Sequence, residues 1–85
     1  MINLGQAELL FMRGERHYVA GKYDEALEDF NKVLEFVKDG GVEKSDRLAE
    51  AAFRAVVQTY ERRDQRGDKD RALACLNEGI EFLSE

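Results

Sequence analysis

The sequence predicts an all-α fold: four helices in two antiparallel hairpins, stacked as a short superhelical array. Three observations carry that expectation. Apolar residues recur at steps of three and four along four segments. Proline is absent, so no helix is interrupted by a missing N–H. The segment YDEALEDFNKVLEF at 23–36 returns as KDRALACLNEGIEF at 69–82, an offset of 46 residues (Gly21 to Gly67).

The first helix opens on Asn3 and Gln6, a capping pair, and carries Ala7, Leu10, Phe11, Gly14 and Tyr18 at helical spacing. Ala20-Gly21 ends it. Lys22 leaves only a very short turn, so the next helix must return antiparallel. That second helix is expected from about Lys22 to Lys38, with Tyr23, Ala26, Leu27, Phe30, Val33, Leu34 and Val37 on one stripe. Its acids, including Glu28 and Asp29, are assigned to a solvated face. They lie early and Lys38 late, in keeping with the helix dipole. Asp39-Gly40-Gly41 supplies the stop.

Ser45 or Asp46 then caps a third helix expected to run to about Arg66, with Ala49, Phe53, Val56, Val57 and Tyr60 as its stripe. Gly67-Asp68 makes the turn, with Asp68 as a cap. The last helix carries Ala72, Leu73, Leu76, Gly79, Ile80 and Leu83. The expected organisation is one domain over 1–85: hairpin 1 at about 3–38, a connection at 39–45, and hairpin 2 at about 46–84. The second helices of the two hairpins share Gly21/Gly67, Asp24/Asp70, Ala26/Ala72, Leu27/Leu73, Asn31/Asn77, Glu35/Glu81 and Phe36/Phe82. A unit repeated in this way cannot bury its apolar face alone, so the second copy completes the core. Phe36, just off its stripe, is expected to pack the first hairpin onto the second.

Composition narrows the function. A net charge of −5 argues against general binding to a phosphate backbone, so no nucleic-acid partner is expected. No stretch approaches ~18 consecutive apolar residues, and the N-terminus lacks the basic-then-apolar order of an export signal, so no membrane role is expected. A single cysteine, Cys75, permits no internal disulfide and is compatible with a reducing, cytoplasmic setting. Neither His17 nor Cys75 has a companion placed for catalysis or metal binding. No phosphate loop, zinc cluster, nucleophile elbow or paired-acid site is visible, so neither enzyme activity nor a cofactor is expected. Arg62, Arg63, Arg66, Lys69 and Arg71 alternate with Glu61, Asp64, Asp68 and Asp70 and are read as a solvated helix end.

Gly14, Tyr18, Gly21, Tyr23, Ala26, Phe30 and Leu34 together resemble the pattern of a tetratricopeptide repeat (TPR). Gly67, Asp70, Ala72, Leu76 and Ile80 resemble it again in the second half. Two departures stand out: the family's period is about 34 residues, and Tyr60 occupies a position where the family has a small residue. The resemblance implies a non-catalytic protein-protein interaction module, a scaffold that binds a partner peptide or helix across its first and third helices. Mapped on this sequence, those faces are Glu8, Phe11, Met12, Glu15 and Val19, then Arg54, Val57, Gln58, Glu61 and Gln65. Acids outnumber bases there, which suits a basic or amphipathic ligand. Phe11 and Glu15 stand where chaperone-binding members carry lysine and asparagine, so a grip on a terminal carboxylate is not implied. The alternative is a structural homo-oligomerisation module that uses the uncapped C-terminal face, with Phe82 and Leu83 as its contacts.

Overall fold

Each helix starts and stops where the chain provides groups to close it. The computed structural model describes residues 2–84, with α1 at Leu4–Val19, α2 at Tyr23–Lys38, α3 at Arg47–Arg63 and α4 at Asp68–Ser84. The Asn3 side chain accepts from the Gln6 N–H at 2.8 Å, and the Gln6 side chain accepts from the Asn3 N–H at 3.0 Å, a complete capping box. Asp46 caps α3 by accepting from the Leu48 N–H at 2.8 Å. Gly21 and Gly67 take φ of +79° and +85° at matching turns, a backbone state that glycine adopts without penalty.

α3 ends three residues earlier than the sequence suggests. Asp64 adopts the left-handed conformation (φ 49°) and closes the helix, donating its N–H to the Tyr60 carbonyl. A short polar side chain tolerates this state better than most. Gln65 and Arg66 therefore lie in the turn rather than on the helix.

α1 packs on α2 and α3 on α4, while α2 also packs against α3, so the two hairpins share one core. Ala26, Phe30, Val33, Val37, Ala49, Ala52 and Val56 are among the residues at its centre. The expectation that the two halves share a core is met between α2 and α3, where Val33 and Val37 join Ala49, Ala52 and Val56 in one buried cluster.

It is not met along the stripe of α4. Leu73, Leu76 and Ile80, expected on a buried stripe, are 57%, 47% and 57% exposed. They occupy the positions of Leu27, Phe30 and Leu34, and among the described residues no further helix packs beyond α4 as α3 packs beyond α2. Phe82 turns inward: its ring meets Phe53 at 5.6 Å between centroids, with the Lys44 ammonium 4.8 Å from its own centroid. Phe36 does not join the hairpins. It packs over the connection, and a Cβ placed on Gly41 would collide with its ring.

Candidate functional site

Two surfaces hold the features of interest: a cleft between α1 and α3, and the exposed face of α4. The cleft is about 270 Å³ and is lined by Phe11, Glu15, Tyr18, Val19, Phe30, Ala51, Arg54, Ala55 and Gln58. It arises because α3 docks on α2 and touches α1 only lightly, leaving a trough between the two first helices. Phe11 leans on Phe30 with ring centroids 5.4 Å apart, forming an aromatic wall. Ala51 and Ala55, one turn apart on α3, keep the opposite wall low.

Of the residues expected on this face, Phe11, Glu15, Val19, Arg54 and Gln58 meet in the cleft. Met12 lies beyond its rim beside Glu15 and Val19. Val57 and Glu61 turn toward a second cleft of about 460 Å³ between α3 and α4, where Arg54 and Gln58 also reach. Glu8 and Gln65 line neither. Arg54 pairs with Glu50 on its own helix, so its charge is balanced and Glu15 gives the rim an acidic bias. Sequence reasoning missed Tyr18, Phe30, Ala51 and Ala55 as lining. The alanine pair at i and i+4, which leaves one side of α3 without bulk, was the available signal.

Two buried carboxylates overturn the expectation of solvated acids. Asp29 is only 2% exposed, and Arg13 holds it by donating from Nε and Nη2 at 2.9 and 2.7 Å. That bidentate hydrogen bond lowers the Asp29 pKa against the opposing effect of burial. His17 Nε2 stands 3.7 Å from the same carboxylate, which gives the histidine a packing and pairing role. Asp68 is fully buried. It accepts from Arg63 Nε and Nη2 at 2.9 and 2.7 Å, from the Gln65 N–H at 2.9 Å and from Arg71 Nη1 at 2.9 Å. The Arg63 hydrogen bonds are the main reason that its pKa lies well below the carboxylate range. Arg63 also donates from Nη1 to Asp24 at 2.7 Å, bridging the second turn to the start of α2. Part of the basic run is therefore internal structure rather than a solvated helix end.

Cys75 is half-buried with its Sγ 3.9 Å from the Phe53 carbonyl, and burial raises its pKa, so it is a poor nucleophile at neutral pH. Among the described residues no cluster of three or more histidines, cysteines or acids is placed to hold a metal, and no helix is long and apolar enough to cross a membrane.

Stacked helical hairpins with a trough along their first helices define a helical-repeat module. The tetratricopeptide repeat family model matches residues 7–39, which span most of α1, the turn and α2. The chain is TPR-like, with α3 and α4 forming a second unit of the same architecture. No curated protein and no solved structure matches it.

Proposed function

We propose that the chain binds an extended or helical segment of a protein partner in the α1–α3 cleft, without catalysing a reaction. Repeats of this kind are typically interaction modules. The observation that carries the reading is the cleft itself: an apolar trough walled by Phe11, Phe30, Ala51 and Ala55, with Glu15 and Gln58 at its rim. Apolar contact along the trough supplies affinity, and the acidic rim favours a basic or amphipathic segment and speeds its encounter. His17 and Cys75, tied to structural contacts, support a non-catalytic role. The single half-buried thiol fits a cytoplasmic setting.

Selection from a displayed random-peptide library tests this. Peptides enriched on the wild-type chain should be net basic with spaced aliphatic residues, and their amide shift changes should centre on Phe11, Val19, Ala55 and Gln58. Phe11→Glu should abolish capture while the helical content stays. Shift changes confined to the outer faces of α2 and α4 would locate the ligand elsewhere and reject the reading.

A second reading is favoured by Leu73, Leu76 and Ile80: this apolar face supports self-association through the C-terminal hairpin. Phe82 and Leu83, the contacts expected from the sequence, are half-buried against the core.

A further inference from the structure

We infer that the chain associates head to tail, with α1 of a second copy seated on α4 as α3 is seated on α2. This rests on the self-association reading above and adds the occupant and its orientation. The internal repeat provides the template. An offset of 46 residues (Gly21 to Gly67) carries Leu27, Phe30 and Leu34, buried in the core that α2 shares with α3, onto the exposed Leu73, Leu76 and Ile80. The same offset carries the α1 residues Gly5 and Leu9 onto Ala51 and Ala55, which pack toward the first hairpin. Leu9 is 66% exposed and is the larger residue. The α3–α4 cleft awaiting it, about 460 Å³, is larger than the one that Ala55 borders.

Charge follows the same relation. Two polar contacts tie α3 to the first hairpin: Arg62 Nε donates to the Tyr18 hydroxyl at 3.2 Å, and Arg63 donates to Asp24 at 2.7 Å. Shifted by one repeat, the first sets Arg16 of a second copy against Asp64, a basic group against an acidic one. The second has no such counterpart, because the equivalent His17 is turned toward Asp29 of its own chain. Two α1 positions fit less well. Gln6 and Arg13 stand where Ala52 and Thr59 are fully buried, which makes the contact between copies weaker than the one within the chain. A surface that meets a different surface of its copy leaves a free face at each end of a dimer, so association continues past two copies, into a chain or a ring.

Sedimentation equilibrium from about 10 µM to about 1 mM, at a salt concentration of about 0.15 M, tests the inference. The weight-average mass should climb with concentration without levelling at twice the chain mass. Ile80→Glu and Leu9→Glu, both at exposed positions, should each weaken association by more than about tenfold while circular dichroism stays helical. Mixed in equal amounts, the two variants should form a one-to-one dimer, because each retains the face that the other has lost. Asp64→Lys should weaken association, and adding Arg16→Glu in the same chain should restore it. A strict monomer across the range rejects self-association itself. A mass that levels at a dimer, broken by Ile80→Glu but untouched by Leu9→Glu, leaves self-association standing and overturns the head-to-tail arrangement.

Discussion

Phe30 lies so close over Gly14 that a Cβ on the glycine would come within 2.7 Å of the ring. The second hairpin has a comparable close approach at a different level, where Ala7 and Val33 stand in the first: the aromatic, Phe53, is on its first helix, and the glycine, Gly79, is on its second, with a hypothetical Cβ 3.0 Å from the ring. Gly14→Ala should therefore destabilise the domain despite alanine's better helix propensity. Overpacking costs about 1–3 kcal/mol and propensity returns about 1 kcal/mol. A net loss of about 1 kcal/mol corresponds to a fall of roughly 5 °C in Tm. In the double variant Gly14→Ala, Phe30→Leu the smaller side chain makes room, so the double should lose less stability than the two single losses summed. Additive losses in urea titrations would refute the steric account.

Acid should destabilise the fold through Asp29 and Asp68. Both carboxyls are held below the ordinary carboxylate range by arginine hydrogen bonds, from Arg13 and Arg63 respectively. In the unfolded chain they return to about 3.9. Below that value the unfolded state binds more protons than the native one, so stability falls as pH falls. Their full contribution should be present above about pH 5 and drain away below about pH 4. Urea midpoints at pH 7, 4 and 3 measure this. The chain carrying Asp29→Asn and Asp68→Asn should start less stable and show a shallower acid slope than wild type.

Arg13→Leu should lower the urea midpoint, because it strips both donors from a buried carboxylate. Adding Asp29→Leu to Arg13→Leu should recover part of that loss, since an apolar pair leaves no uncompensated charge. A double variant weaker than Arg13→Leu alone would count against this explanation.

Glu15→Lys should reverse the charge at the cleft rim and weaken binding of a basic peptide, chiefly by slowing association. Stopped-flow measurements at two salt concentrations separate the effects. The wild-type association rate should fall with added salt, and the variant's rate should be slower and less salt-sensitive.

Much of the architecture was legible in the sequence because it is local. Periodicity located all four helices, and the Asn3–Gln6 and Asp46 caps are short-range chemistry. The end of α3 was not legible, since Asp64 adopts a left-handed state that a glycine would have announced. Burial of Asp29 was hidden because its partner, Arg13, comes from another helix, and an acid among acids reads as solvated. The apolar stripe of α4 was located correctly but not its exposure, because periodicity marks a face without saying whether anything covers it. For the cleft, the first-helix faces pointed to Phe11, Glu15, Val19, Arg54 and Gln58. Val57 and Glu61 line the α3–α4 cleft instead, because spacing along α3 does not say which side of the helix meets α1 and which meets α4.

The double grip of Arg63 bears on how the domain comes apart. Its guanidinium closes the turn into α4 through Asp68 and reaches across to Asp24 on the other hairpin. Fraying the last helix would loosen the Asp68 end of that bridge and leave the guanidinium anchored at Asp24 alone. Tandem arrays often lose their terminal unit first and melt in stages. Here the second hairpin shares one core with the first and is tied to it at the turn as well, so heat should release both halves in a single step.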